Sequence, residues 1–210
     1  MGKIVSESER IALRFKSVFT KINIGYLLEK FSREHFTPLV PYPNNETLND
    51  SLVRFRGAIL RKGNIIIDVD TSLNSCGIQA GSDIELLENI ATFFKIIEEM
   101  VNNYNDVLWF YEFHVRIEMS GSAIKELSNL NGKAIAKLKG LGNTLSKELN
   151  PSGVTLWSSS SADSPDFVEL KMEQSVLNEK NTVYKVIYRN EDYEVFNANI
   201  KVFIANIKEL

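Results

Sequence analysis

The stretch NDVLWFYEFHVRIEMSG, residues 105–121, alternates apolar and polar side chains with little interruption. Tyr111, Phe113, Val115, Ile117 and Met119 take one parity, and Glu112, His114, Arg116 and Glu118 take the other. Successive side chains of a strand point to opposite faces, so the pattern predicts a long strand over 106–119. One face of its sheet is buried and the other polar, which is the antiparallel signature, since parallel strands are apolar on both faces.

Working backwards, SLVRFRGAIL (51–60) and NIIIDVD (64–70) flank the short connection RKG. A three-residue loop ending in glycine suits a hairpin, here over 52–71. Pairing across that loop sets Arg56 against Asp68 and Arg54 against Asp70. Val53, Phe55, Ile59, Ile65, Ile67 and Val69 then share the opposite face. Opposite charges meet across the register, and such pairs stabilise a hairpin by roughly 0.2–1 kcal/mol each.

The end of the second strand, IIIDVDTS (65–72), resembles the first motif of haloacid-dehalogenase-like phosphatases. That resemblance implies a metal-dependent hydrolase with Asp68 and Asp70 as nucleophile and acid/base. DTSLN (70–74) is similar to the metal-ion-dependent adhesion loop, with Asn74 standing where a serine belongs. Both families place the loop after a central parallel strand, whereas a tight hairpin makes the local sheet antiparallel. The charge ladder accounts for both strands together, so no catalytic residue and no metal ligand is assigned. His114 between Glu112 and Arg116 has the chemistry of a general base, but no nucleophile or second ligand follows at a defined spacing. Cys76, in the turn-rich NSCGIQAG (74–81), could pair with His114; a lone cysteine is more often a small buried hydrophobe.

Helical segments surround these strands. In SESERIALRFKSVF (6–19), Ser6 and Glu9 have capping-box spacing and Ile11, Phe15, Val18, Phe19 and Ile22 recur at helical intervals. With YLLEKFSREHF (26–36) this predicts an N-terminal helical segment over 6–36, followed by a proline-rich loop. GSDIELLENIATFFKIIEEMV (81–101) predicts a core helix over 83–103, with Ser82 and Glu85 as a second capping box and Leu86, Ile90, Phe93, Ile97 and Met100 as its stripe. A meander over 153–189 and a helix over 192–209 complete the chain. In that meander Val168, Leu170, Met172 and Val176 share one parity. The last helix repeats Ile90, Phe93 and Ile97 as Ile200, Phe203 and Ile207, which hints at a pseudo-duplicated unit.

Residues 122–149 are expected to form a helical hairpin. LKGLGNTLSKEL (138–149) resembles the turn of helix-hairpin-helix modules, with Leu138, Gly140, Leu141, Gly142, Ser146 and Leu149 at the motif positions. The resemblance implies, as an alternative function, nucleic-acid binding through a phosphate-binding turn at 138–149, Gly140 and Gly142 freeing backbone N–H groups and Lys137 and Lys139 adding charge. Five lysines against two glutamates make this segment basic. The alternative is a glycine-broken connection between two surface helices.

Composition bounds the rest. The chain has 210 residues, 44% hydrophobic and 24% charged, with a formal net charge of -3. That balance describes an ordinary globular domain with no global pull toward nucleic acid or anionic membrane. One cysteine rules out an internal disulfide, and MGKIVSESER lacks the apolar run of a signal peptide, so the cytoplasm is the default location. No stretch is long and apolar enough to span a bilayer, so no membrane contact is expected. The expected fold is a single α+β domain: a mostly antiparallel twisted sheet of about six strands with helices packed on one face. Its polar face carries Arg54, Arg56, Asp68, Asp70, Glu112, His114 and Arg116 as the candidate binding surface. The expected function is a non-catalytic binding or assembly module with no cofactor. A homodimer is expected because wide apolar helix stripes exceed what one core hides, and a protein partner fits the same surface.

Overall fold

The central element of the sheet is a strand where helical periodicity was expected. β1 (Ile4–Phe15) lies between β5 (Ser75–Ala80) and β6 (Leu108–Ser120), antiparallel to both. Ile11, Leu13 and Phe15 alternate at period two and are buried, so the capping-box and helical reading of 6–15 is corrected. Ser6 and Glu9 fall on opposite faces of the strand rather than across a helical turn. Glu9 is fully buried on the apolar side, opposite Ala80 and Val115.

The computed structural model describes residues 3–16, 22–40, 55–121, 153–158, 161 and 164–208. After β1 come α1 (Ile24–Arg33), β2 (Thr37–Pro38), β3 (Arg56–Lys62), β4 (Ile65–Asp70) and β5, then α2 (Asp83–Met100), the single turn α3 (Tyr104–Val107) and β6. β7 (Gly153–Trp157), β8 (Phe167–Gln174), β9 (Asn181–Asn190) and α4 (Tyr193–Lys208) follow. Among the described residues this gives nine antiparallel strands in the order β2-β3-β4-β5-β1-β6-β9-β8-β7, with the helices on one side. Nine replaces the expected six because β1 had a helical pattern, β2 is two residues long, and β5 sits in a stretch rich in turn residues. The expected helical hairpin at 122–149 lies outside the described residues.

The order reads the same outward from the β1–β6 seam: β5-β4-β3 on one side, β9-β8-β7 on the other. Each half is a strand at the seam, a meander, and a helix that returns over it. α2 and α4 are each separated from the preceding strand by two residues and are capped alike. Ser82 Oγ accepts the N–H of Glu85, and Asp192 Oδ1 accepts those of Glu194 and Val195. Leu86 and Phe196 are fully buried at matching positions, one turn before Ile90 and Ile200. The helix repeat in the sequence therefore coincides with a repeat in the topology.

The core lies between the helices and the inner face of the sheet. Leu27, Leu28 and Phe31 of α1, Leu86, Phe93 and Ile97 of α2, and Phe196 and Ile200 of α4 close over Ile11, Ile67, Ile78, Phe113, Val115 and Tyr188. Fully burying each such side chain stabilises by about 1.5–3 kcal/mol. Val176, expected in this core, is 98% exposed beyond the end of β8.

The hairpin exists in a different register. Lys62 pairs with Ile65 around a two-residue Gly63–Asn64 turn, and Gly63 at φ +59° supplies the left-handed first position of a type II′ turn. A bulge between Ala58 and Leu60 inserts Ile59, so Ile59 and Leu60 are both buried. Beyond the bulge Arg56 faces Asp70 and Ala58 faces Asp68.

Candidate functional site

The helices cover one face of the sheet; the other carries the alternate parity of every strand. The registers bring Arg56, Asp68, Asp70, Glu112, His114 and Arg116 onto this open face. Arg54 lies outside the described residues.

The charges are paired across the strands, with partners other than those expected. Asp68 is held by Arg10 of β1, whose Nε donates to Oδ2 at 2.8 Å and Nη2 to Oδ1 at 2.6 Å. Between them stands Gly77 of β5, and a Cβ there would lie 2.6 Å from Nη2 and 2.8 Å from Cζ. The glycine is needed for space, since it is not among the positive-φ residues. Asp70 closes the turn into β5: its Oδ1 accepts Ser72 Oγ at 2.6 Å and the N–H groups of Ser72 and Leu73 at 3.1 Å. Arg56 Nε lies 3.4 Å from its other oxygen. Burial would raise the Asp70 carboxyl, but these donors and Arg56 outweigh it and hold it below the ordinary aspartate value.

Across the seam, Glu112 is only 4% exposed. Its Oε1 is 2.8 Å from His114 Nε2 and its Oε2 accepts Arg189 Nε at 2.6 Å. Burial opposes the carboxylate, yet His114 and Arg189 overcome it and hold the carboxyl at about 2. The Arg189 guanidinium is itself clamped over the rings of Phe110 and Phe167, at 5.1 and 5.2 Å. Arg116 Nη2 reaches Glu118 at 3.4 Å, while Ser175 and Asn181 donate to the other Glu118 oxygen at 2.8 and 2.9 Å. These donors hold the Glu118 carboxyl below its usual value. Further out, Glu173 bridges Lys171 and Lys185, which face each other across β8 and β9. The face read as wet is thus a ladder of engaged ion pairs, with Glu112 and Glu118 buried inside it.

A depression of about 250 Å3 opens at the seam of β1, β6 and β9, lined by Arg10, Gln79, His114, Arg116, Glu169 and Lys185 among others. A larger recess of about 380 Å3, beside Trp109 and Tyr193, lies at one end of the sheet, and its Asp192 is committed to capping α4. Cys76 and His114 occupy opposite faces and form no pair: Cys76 is buried opposite Leu13 and Val69, and burial pushes its thiol up. Among the described residues no His, Cys, Asp and Glu side chains gather as a metal-holding group. Among the same residues no helix is long and apolar enough to cross a membrane.

No protein-family model matches the chain, and no curated protein matches it either.

Sequence reasoning missed Arg10, Gln79, Lys185 and Arg189 as members of this face. The signal for Arg10 was present, in the alternation of Ser8, Arg10, Ala12 and Arg14 against Glu9, Ile11, Leu13 and Phe15. Gly140, Gly142, Lys137 and Lys139 lie outside the described residues.

Proposed function

We propose that the protein is a non-catalytic binding module whose working surface is the uncovered polar face of the sheet, centred on the depression at the β1–β6 seam. The observation that carries this reading is the commitment of the two candidate catalytic carboxylates. Asp68 is occupied by the Arg10 fork, and Asp70 by turn donors and Arg56. Neither is poised as a nucleophile or an acid, whereas the cationic side chains around the depression are oriented and partly open to solvent. The side chains of Arg116 and Lys185 are 41% and 40% exposed.

The proposal extends to a homodimer in the cytoplasm. Most of the α2 stripe is consumed by the core, so support for assembly moves to the exposed Leu156, Trp157 and Leu170 on β7 and β8. Light scattering should return twice the chain mass of 23.8 kDa, and a constant monomer mass across concentrations would contradict it.

The binding reading is tested by thermal unfolding against a library of metabolites and peptides. Ligands that bind the folded state raise its midpoint by mass action. Those effects should vanish in Arg116→Met/Lys185→Met and persist in Lys30→Met, on the helix side. Ligands that stabilise all three proteins equally would place the site elsewhere.

A further inference from the structure

The depression at the seam has a built arrangement of charge. Arg10, His114, Arg116 and Lys185 line it from three adjacent strands, β1, β6 and β9. Each is contacted by its own carboxylate: Asp68, Glu112, Glu118 and Glu173 respectively. None of these four carboxylates lines the depression, while Glu169 does. Arg10, Arg116 and Lys185 therefore bring three cationic groups to one opening, with His114 beside them, while the carboxylates that pair with them lie outside its lining. This is how a receptor keeps cationic groups oriented without filling the space they surround, because each side chain is fixed before a ligand arrives.

We infer that the depression is a binding site for a small molecule bearing an oxyanion, a phosphate or a carboxylate. This rests on the reading of the open face as the working surface. Two quantities narrow the ligand. With Arg189 sharing Glu112 and Lys171 sharing Glu173, five permanent cations meet five carboxylates in and around the ring. Its long-range field is close to nil, so a polyanion such as nucleic acid would not be steered to it, and attraction acts only at hydrogen-bonding range. The volume of about 250 Å3 lies just under the roughly 300–1,000 Å3 of sites for drug-sized ligands, which suits one compact group. Arginine forks match phosphate and carboxylate oxygens in pairs, and Arg116, 3.4 Å from Glu118, is the least tightly held of them. Gln79, whose amide donates to Ser8 at 3.0 Å, adds a neutral polar wall.

The test is calorimetric titration at low salt with inorganic pyrophosphate and, separately, citrate. At least one should give a saturable one-to-one isotherm with the wild-type chain. Heat from pyrophosphate alone assigns phosphate esters, and heat from citrate alone assigns carboxylates. Binding should weaken at least tenfold in Arg116→Met/Lys185→Met and be unchanged in Lys30→Met. Should the double variant unfold, single Arg116→Met carries the same comparison, because its side chain is 41% exposed. Absence of heat with both probes, or heat that the variants leave unchanged, overturns the inference. If the probes fail while library ligands still lose their effect in the variant, only the oxyanion assignment falls. If the library ligands ignore the variant as well, the open-face reading falls with it.

Discussion

Replacing Gly77 with alanine should destabilise the protein only while Arg10 is present. The added Cβ would stand 2.6–2.9 Å from Nη2, Cζ and Nε of Arg10, so the guanidinium must leave its seat on Asp68. It makes two charged hydrogen bonds there, at 2.8 and 2.6 Å, and each such bond contributes about 1.5–3 kcal/mol. The pair is mostly screened from solvent, its side chains being 24% and 19% exposed. Shifting the head group by one bond should cost about 2 kcal/mol. Alanine is better than glycine in a strand by roughly 0.5–1 kcal/mol, which offsets part of that. The net loss is about 1–1.5 kcal/mol, or about 2–6 °C in unfolding midpoint for a domain of this size. In an Arg10→Ala background the obstruction is gone, and Gly77→Ala should stabilise by about 0.5–1 kcal/mol. The assay is a double-mutant cycle by urea unfolding, with a coupling of about 2 kcal/mol expected. If Gly77→Ala costs the same with and without Arg10, the space argument fails.

Glu112, held at about 2 in the folded state, contributes stability that is present above pH 4.5 and lost as pH falls toward 2. The contribution is at most about 3 kcal/mol. Glu112→Gln should therefore flatten the loss of stability between those values, and an unchanged pH profile would count against the His114 and Arg189 contacts. Ser82→Ala and Asp192→Ala should each cost about 1 kcal/mol in thermal unfolding, because the two residues cap equivalent helices; sharply unequal costs would contradict the repeat. Gel shifts at low salt with single- and double-stranded DNA and RNA should show no retarded species, since the chain carries a net charge of -3 and the ladder neutralises its own face. A retarded species abolished by Gly140→Leu/Gly142→Leu would instead favour the phosphate-binding turn.

The half of the sheet beyond the seam was legible because β6 alternates cleanly and β8 and β9 follow it between turn residues. α2 was legible for the same kind of reason: Ser82 and Glu85 mark its start and the stripe from Leu86 to Met100 fixes its period. β1 was not, because Ile11 and Phe15 satisfy a helical period as well as a strand one, and Ser6 and Glu9 have capping-box spacing. Only pairing with β5 and β6 on both sides decides between them. β5 was hidden by Gly77, whose absent side chain reads as a turn signal and in fact makes room for Arg10. The hairpin register slipped for a related reason, since the Ile59 bulge changes the count along β3 without leaving a mark in composition. Asp68 and Asp70 lie on the open face, and the Arg10 partner of Asp68 is 58 residues away in the chain, so no local pattern points to it.

The most direct test of the open face as the working surface is amide shift mapping by NMR with the strongest ligand from the thermal library. The largest shifts should fall on residues 8–10 of β1, 112–116 of β6 and 185–189 of β9, around the depression at the seam. A ligand whose shifts fall instead on α1, α2 and α4, leaving those strands unmoved, would contradict it.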